Sequence, residues 1–320
     1  MRALFFDGSA ARVVDHPEPV AGEGMAVIRV SLAGVCRTDL ELVKGYMGFR
    51  GVLGHEFVGV VIAGPDEWKG ARVVGEINFA CGTCDLCQRG LGRHCPTRRV
   101  MGILHADGAF AELVAVPVAN LHRVPDNVPD DAAVFTEPLA AAFEILEQVR
   151  VQPGLSCVVL GDGKLGLLVA QVLHGAGARV LAVGKHESKL GILRRRGIDT
   201  VCVDQWQGVR ADLVAETTGT ANGLATAIAA LRPRGTLVLK STVAVGAEIN
   251  LAPLVINEIT VVGSRCGPFA PALQALAQQS IDVRSLICAR VPLNHADEGL
   301  HLAAQPGVLK VLIENDGQQR

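Results

Sequence analysis

Four of the nine cysteines fall within fifteen residues, in the spacing Cys81-x2-Cys84-x2-Cys87-x7-Cys95. Thiolates are soft ligands, and four of them favour a tetrahedral zinc ion or an iron–sulfur cluster. A bacterial ferredoxin run has only three residues before its last cysteine, whereas seven stand here and no second run follows. The spacing therefore predicts zinc. Because four protein ligands close the site, we expect this zinc to be structural rather than catalytic.

A second set of residues could hold a metal ion with an open position. Cys36 and Asp39 belong to a Cys-Arg-Thr-Asp segment, and His55 and Glu56 belong to Gly-His-Glu. A catalytic zinc takes three protein ligands and leaves one place for water or substrate. Cys36 and His55 supply two ligands, and the third is Glu56 or Glu137. Asp39 is a candidate to accept a hydrogen bond from the outer ring nitrogen of His55, which would fix its tautomer.

A glycine-rich turn follows the apolar run at 157–160 and opens a helical pattern. Its sequence, Gly-Asp-Gly-Lys-Leu-Gly, matches G-x-G-x-x-G. The motif alone is weak, but between a strand and a helix it is typical of dinucleotide sites. The glycines there let the backbone approach a pyrophosphate at the helix N-terminus. The residues predicted to contact the cofactor are Gly161, Gly163, Lys164, Leu165 and Gly166.

The residues after the next predicted strand bear on which cofactor binds. An NAD-binding unit usually places an acidic residue there, which holds the adenosine ribose hydroxyls. This chain has Gly184 at that place, followed by Lys185 and His186, and its nearest acidic residue is Glu187. Glycine leaves room for a 2′-phosphate and lysine attracts it, whereas a carboxylate would repel it. We therefore expect a preference for NADP(H) over NAD(H).

The elements around these motifs change type along the chain. Short β-like runs between Gly, Pro and Asp fill the first half and predict an antiparallel barrel or sandwich. From about residue 137, alternating helices and strands predict a parallel, doubly wound sheet, so the fold class is α/β. The predicted strands are at 25–30, 57–62, 71–74, 157–160, 180–183, 212–216, 235–239, 259–263, 289–293 and 308–313. The predicted helices are at 137–146, 164–175, 188–196 and 296–304.

Length and composition limit the classes of function. A chain of 320 residues suggests two domains. Its 30 basic and 32 acidic residues give a net charge of −2, so we expect no nucleic-acid partner. No apolar stretch reaches membrane-span length and no secretory signal is visible, so we expect no membrane partner. An odd number of cysteines, four of them clustered, favours metal ligands over disulfides and predicts a cytoplasmic protein.

In chain order these motifs resemble the zinc-containing medium-chain dehydrogenase/reductase (alcohol dehydrogenase) family. The segments that carry the resemblance are 36–39, 54–56, the four-cysteine lobe, Glu-Pro-Leu-Ala at 137–140, and 161–166. The resemblance implies a GroES-like catalytic domain at 1–147 and 288–320, with a zinc lobe at about 78–98. It implies a Rossmann dinucleotide-binding domain at 148–287, and a homodimer or homotetramer.

The resemblance also implies roles in metal binding. Cys36 and His55 match the catalytic zinc ligands. Glu56 matches a glutamate that binds zinc directly in some members and lies close behind it in others. Glu137 stands where ordinary alcohol dehydrogenases carry a second cysteine ligand, and here the chain is similar to the sorbitol, threonine and glucose dehydrogenase branch. That branch implies a polyol, sugar or amino-alcohol substrate rather than a simple alcohol.

Three further roles follow from the resemblance alone. Thr38 matches the hydroxyl that relays the proton of the alcohol. Glu41 stands where some members have a histidine at the end of that relay. Lys310 lies where a basic residue near the C-terminus reaches the cofactor phosphates.

Together these observations predict an oxidoreductase with two zinc ions per chain, one catalytic and one structural. It would transfer a hydride between a secondary alcohol, polyol or sugar, or the matching carbonyl, and NADP(H). One alternative is a biosynthetic carbonyl reductase. Another is a zinc-stabilised NADPH-binding sensor or structural protein without turnover. Such a sensor would be expected to lose a catalytic ligand or the relay hydroxyl, but Cys36, Thr38, His55, Glu56 and Glu137 are all present.

Overall fold

The computed structural model describes residues 1–241 and 250–315. These residues form two compact units. The first contains Met1–Glu137, Leu276–Gln278 and the described residues from Leu286 onward, and the second contains Gln279–Ser285 and the described part of Pro138–Ala275. In the described part of the chain, no helix is long and apolar enough to cross a membrane.

The strands and helices are numbered in chain order. The strands are β1 (Arg2–Phe6), β2 (Ala11–Asp15), β3 (Met25–Gly34), β4 (Gly51–Val52), β5 (Phe57–Ala63), β6 (Arg72–Gly75), β7 (Asn78–Phe79), β8 (Arg99–Met101), β9 (His105–Ala106), β10 (Leu113–Pro117), β11 (Leu121–Arg123), β12 (Ser156–Leu160), β13 (Arg179–Gly184), β14 (Asp199–Cys202), β15 (Ala211–Glu216), β16 (Leu231–Leu239), β17 (Thr260–Gly263), β18 (Ile287–Pro292) and β19 (Lys310–Glu314). The helices are α1 (Arg37–Leu42), α2 (Asp85–Gln88), α3 (Asp130–Ala133), α4 (Thr136–Gln148), α5 (Lys164–Gly175), α6 (Glu187–Arg194), α7 (Ala221–Ala229), α8 (Ala252–Ile256), α9 (Phe269–Ala277) and α10 (Ala296–Ala303).

The main sheet of the first unit is built around β3. Its strand order is β11-β6-β5-β3-β19-β18, and β10 also pairs with β3. Strand β3 carries Val27, Ile28 and Val30, which are almost fully buried, and β-branched side chains suit a packed strand. Smaller sheets with the orders β2-β1-β4 and β7-β8-β9 complete the β-rich part of this unit.

One pair in the main sheet is parallel, and both of its strands come from the C-terminal part of the chain rather than from the first half, for which the antiparallel arrangement is predicted. Strands β18 and β19 run parallel, while β19 is antiparallel to β3. Parallel neighbours need a crossover connection, and here α10 lies between them in the chain. The last described strand is thereby placed beside β3.

The second unit contains a parallel sheet with the order β14-β13-β12-β15-β16-β17. Every described pairing in it is parallel. The chain runs outward from β12 to β14 and then resumes at β15 on the other side of β12. In sheets of this kind, ligands bind outside the carboxyl ends of the strands at such a switch point. The strands are continuous apolar runs, with Val158, Val214 and Leu237 in the buried core.

Sequence patterns locate most of this second unit. The helix predicted at 164–175 is α5, with the same bounds. Strand β16 begins four residues earlier than the predicted 235–239, because Leu231 already pairs with Ala211. Strand β14 was not predicted, since its four residues include two polar ones and none of its side chains is fully buried.

Candidate active site and cofactor-binding turn

The pairing of β3 with its neighbours brings the predicted ligands of the open metal site together. Cys36 follows the end of β3, and His55 and Glu56 directly precede β5. Ala33 is opposite Phe57 in this pair, and the amide of Gly34 donates a hydrogen bond to the carbonyl of Glu56 at 2.9 Å. The antiparallel register therefore places residues about twenty positions apart next to each other.

Cys36, His55 and Glu56 form a compact donor set. One ligand atom from each lies within 4.8 Å of the others. His55 and Glu56 are 2% and 0% exposed, and Cys36 is half-buried. Among the described atoms, Oε1 of Glu56 is buried and has no hydrogen-bond partner. A buried carboxylate oxygen needs a partner, and a thiolate, an imidazole and a carboxylate are ligands that zinc accepts, so the residues fit a zinc ion.

In the described part of the chain, Glu137 is not one of the residues in this donor set. It is half-buried in the first turn of α4. Of the two glutamates that the sequence leaves open as third ligand, the structure brings only Glu56 into the group with Cys36 and His55.

Asp39 lies against both Cys36 and His55. Its Oδ1 is 3.2 Å from Nδ1 of His55, and its Oδ2 accepts a hydrogen bond from the amide of Cys36 at 2.8 Å. Burial lowers the pKa of His55, but the negative charges of Asp39 and Cys36 outweigh it and raise the pKa well above its ordinary value. Neither Asp39 Oδ1 nor Nδ1 of His55 has a hydrogen-bond partner among the described atoms, so Asp39 faces the imidazole as a nearby charge. Its position is that of a residue that orients a ligand histidine, and a metal ion on Nε2 would require that nitrogen to be deprotonated.

Lys310 is not where the sequence analysis expected it. Its side chain is 0% exposed and forms an ion pair with Oε2 of Glu56. Its Nζ also lies 3.3 Å from the carbonyl of Val35 and 5.3 Å from the ring centre of Phe135. A fully buried, ion-paired lysine is not available to cofactor phosphates, so this prediction was wrong. The physical reason is that β19 pairs with β3 and directs Lys310 into the core of the first unit.

Thr38, the proposed relay hydroxyl, and Glu41, which stands where some family members have the histidine that ends the relay, both lie on α1. Thr38 is half-buried, with its Oγ1 3.7 Å from Sγ of Cys36. Glu41 accepts hydrogen bonds from Arg37 at 2.9 Å and from Lys44 at 3.3 Å. Burial raises the pKa of Glu41, but its bonds to Lys44 and Arg37 outweigh burial and lower it. Glu41 therefore remains a carboxylate near neutral pH.

The four cysteines of the lobe also converge. One sulfur from each of Cys81, Cys84, Cys87 and Cys95 lies within 4.8 Å of the others, and all four are free thiols. Hydrogen bonds from Thr83 lower the pKa of Cys81 to about 5, while burial and the neighbouring Cys84 raise the pKa of Cys87 to about 12. Four facing sulfurs without a disulfide suit a tetrahedral cation, so this donor set also fits zinc.

The glycine turn is packed tightly against Thr217, the residue that follows β15. Gly161 has φ +114°, and a Cβ there would lie 2.6 Å from Oγ1 of Thr217. A Cβ on Gly166 would overlap the carbonyl of Gly161. Helix α5 begins after Gly163, which provides no side-chain cap. The first amides of the helix are therefore positioned to bind an anion.

Asp162, inside the glycine turn, is a residue that the sequence analysis missed. Its Oδ2 accepts hydrogen bonds from the amides of Lys185 at 2.7 Å and His186 at 2.6 Å, and lies 2.8 Å from Nδ1 of His186. Burial raises the pKa of Asp162, but its bonds to His186 and Lys185 outweigh burial and lower it. A Cβ on Gly184 would lie 2.5 Å from Cβ of Asp162. The space at Gly184 that the sequence suggested for a phosphate is therefore taken by Asp162.

Comparison with known proteins identifies the family. Residues 22–126 match the alcohol dehydrogenase GroES-like domain, and residues 165–279 match the zinc-binding dehydrogenase domain. A 2-dehydro-3-deoxy-L-galactonate 5-dehydrogenase of Pseudoalteromonas atlantica is 30% identical, over 94% of both chains. A sorbitol dehydrogenase of Halalkalibacterium halodurans is 29% identical, also over 94% of both. A zinc-binding dehydrogenase of Sinorhizobium meliloti, solved with NADP bound, has a TM-score of 0.90 and 27% identity, with 98% of both chains covered.

The chain belongs to the zinc-type medium-chain alcohol dehydrogenase family, as the motifs predict. The fold class is confirmed, with a GroES-like domain and a Rossmann-like domain that contains the parallel sheet. The protein is an NAD(P)-linked alcohol dehydrogenase of this zinc-binding family.

Proposed function

We propose that this protein transfers a hydride between a polyol, sugar or other secondary alcohol, or the matching carbonyl, and NADP(H). The observation that carries this proposal is the donor set of Cys36, His55 and Glu56, in which a buried carboxylate oxygen of Glu56 has no partner among the described atoms. These residues would hold a catalytic zinc ion. A second, structural zinc ion would be held by Cys81, Cys84, Cys87 and Cys95.

Each residue near the catalytic donor set has a definable task. When bound, zinc supplies a Lewis acid that lowers the pKa of a substrate hydroxyl, and the nicotinamide supplies the hydride acceptor. Asp39, with its Oδ1 3.2 Å from Nδ1 of His55, would orient the ring and leave Nε2 for the ion. Thr38 presents its hydroxyl beside Cys36, where it can relay the substrate proton by accepting it and passing its own hydroxyl proton on toward solvent.

The class of substrate rests on the relatives and on Glu137. The two relatives described above act, by name, on a polyol and on a sugar acid. Glu137 stands where ordinary alcohol dehydrogenases have a ligand cysteine. Both facts favour a substrate with several hydroxyl groups over ethanol-like alcohols.

The NADP(H) preference rests on the end of β13. Gly184 itself carries no side chain, and Lys185 follows with a positive charge. The carboxylate of Asp162 lies against the same strand end and opposes this preference. Such a charge attracts the 2′-phosphate that distinguishes NADP(H). The Sinorhizobium meliloti structure, solved with NADP bound, supports a nicotinamide cofactor in this fold.

The proposed homodimer or homotetramer has a candidate surface on the second unit. Strand β17 is at the edge of the described parallel sheet and is largely exposed. In and beside α8, Leu251, Val255 and Ile256 are 60%, 76% and 77% exposed. An open apolar sheet edge favours pairing with a second copy. Sedimentation velocity at micromolar concentration should show a dimer or tetramer, and a monomer would contradict this part of the proposal.

Cofactor fluorescence during a panel of polyols, sugars and their carbonyl partners tests the reaction. We expect turnover with at least one polyol or sugar and a higher kcat/KM with NADP(H) than with NAD(H). Lys185→Ala should reduce that preference. The proposal would be contradicted by a protein that holds two zinc ions and binds the cofactor, but neither oxidises nor reduces it with any substrate of the panel. That result would favour a sensor.

A further inference from the structure

Asp162 occupies a set of anion-binding donors at the carboxyl end of β13. Two consecutive amides, of Lys185 and His186, point at its Oδ2, and Nδ1 of His186 lies 2.8 Å from the same atom. Consecutive amides that converge on one point form a concavity that binds anions. In this structure, the carboxylate of the glycine turn fills that concavity from within the chain.

The place of this concavity in the fold connects it to the cofactor. It lies at the carboxyl end of β13, the strand that comes after the glycine turn and α5 in the chain. Rossmann units hold the adenosine ribose at this place. A 2′-phosphate bound there would need the donors that Asp162 now uses. A ribose 2′-hydroxyl, in contrast, can donate a hydrogen bond to the carboxylate.

The side chain of Asp162 and an acidic residue at the end of β13 exclude each other. A Cβ on residue 184 would lie 2.5 Å from Cβ and 2.8 Å from Oδ2 of Asp162. Real Cβ atoms do not approach so closely, so a side chain at position 184 would force Asp162 to shift. Gly184 is therefore required by Asp162, and the carboxylate that most NAD-binding units carry at the strand end is here supplied by the turn.

We propose that Asp162 is a specificity-determining residue, which competes with the 2′-phosphate of NADP(H) for the amides of Lys185 and His186 and accepts the 2′-hydroxyl of NAD(H). This inference rests on the proposed nicotinamide-linked function. The cofactor preference then depends on two side chains of opposite charge. Lys185 attracts the 2′-phosphate, and Asp162 weakens the binding of that phosphate.

Two fragments of the cofactor test this directly: 2′,5′-ADP, which carries the 2′-phosphate, and 5′-AMP, which lacks it. Their Kd values are measured by titration calorimetry on the zinc-loaded full chain. Asp162→Asn should raise the preference for 2′,5′-ADP over 5′-AMP by at least about tenfold, because a like charge beside a phosphate is removed. A preference that is unchanged or lower in Asp162→Asn would overturn the proposal.

Asp199→Asn is the matched control, because it removes the same charge from an exposed residue at the start of β14. It should leave the fragment preference unchanged, and an equal rise in this control would also overturn the proposal. If Asp162→Asn does not fold, Asp162→Ser removes the charge and keeps a hydroxyl acceptor, and the same rise is expected.

The fragments bind without turnover, so the experiment separates this inference from the proposed reaction. A shifted preference in an enzyme that oxidises no polyol would refute the reaction and support the role of Asp162. Failure of the wild-type protein to bind either fragment would overturn the role of Asp162, whatever the activity.

Discussion

Glu56 uses its two carboxylate oxygens differently. Oε2 is paired with the buried ammonium of Lys310, and Oε1 is left unpartnered among the described atoms. One carboxylate oxygen of Glu56 lies in the group with Cys36 and His55. The sequence alone did not decide between Glu56 and Glu137 as third ligand, because each belongs to a segment that resembles the same family. The burial and pairing of Glu56 make it the stronger candidate.

The two glutamates can be separated by metal content. Glu56→Gln should bind one zinc ion fewer per chain than the wild type, because a neutral amide is a poor zinc ligand. Glu137→Gln should retain its zinc content, with affinity weakened by at most about 10–100-fold, as for residues that only support a ligand. Plasma mass spectrometry on dialysed protein measures both, and a loss of zinc in Glu137→Gln alone would reverse the assignment.

The ion pair of Lys310 with Glu56 should also matter for stability. Lys310→Met leaves a buried carboxylate without its counter-charge, which costs about 3–5 kcal/mol in the free energy of unfolding. Lys69→Met is the control, because its partner Asp66 and its own side chain are largely exposed, and such pairs contribute at most about 1 kcal/mol. Urea unfolding measures the free energy of unfolding of both variants. Equal decreases would show that the buried Lys310 pair stabilises the protein no more than the exposed Lys69 pair.

The contacts of Asp162 could not be predicted from the glycine motif. The pattern G-x-G-x-x-G assigns no role to the residue between the first two glycines. Only the structure shows that this carboxylate reaches the end of the next strand, 23 residues further along the chain. The absence of an acidic residue at Gly184 was visible in the sequence, but what fills its place was not.

At the level of elements, the end of β3 limits which side chains the site can hold. Gly34 is the last residue of β3, and a Cβ there would overlap Oε2 of Glu56 and lie 3.3 Å from Nζ of Lys310. A strand that ends in any larger residue would push Glu56 away from its partners.

Gly34→Ala should therefore destabilise the protein by about 1–3 kcal/mol, the usual effect of overpacking. It should also weaken zinc binding at the open site, because Glu56 must shift. Gly22→Ala is the control, since the nearest atom to its Cβ would be 3.9 Å away, and its stability should change by less than about 0.5 kcal/mol. Thermal unfolding with zinc analysis distinguishes the two, and a fully stable, zinc-loaded Gly34→Ala protein would contradict the packing argument.

Elements were predictable where pattern and motif agree. Helix α5 was located exactly because the glycine turn marks its start and an apolar helical pattern continues to Gly175. The short polar strand β14 carries neither signal. Propensity cannot find a strand whose existence depends on pairing with β13.

For the whole molecule, the family and fold class followed from motifs, but contacts between distant segments did not. Lys310 and Glu56 are 254 positions apart, and no local pattern indicates that β19 inserts beside β3. The family resemblance implied that Lys310 reaches the cofactor phosphates, whereas in the structure its side chain is buried and paired with Glu56. The domain boundaries at 147/148 and 287/288 remain predictions.

The central claim is that a zinc ion held by Cys36, His55 and Glu56 does the chemistry and that the four-cysteine lobe does not. Cys36→Ser tests it most directly, with zinc content and turnover measured on the same sample. Cys288→Ser, at an exposed cysteine outside both donor sets, is the control. We predict that Cys36→Ser keeps the lobe zinc and loses turnover, while Cys288→Ser keeps both zinc ions and full activity. Retained turnover in Cys36→Ser, with only the lobe zinc present, would contradict the account.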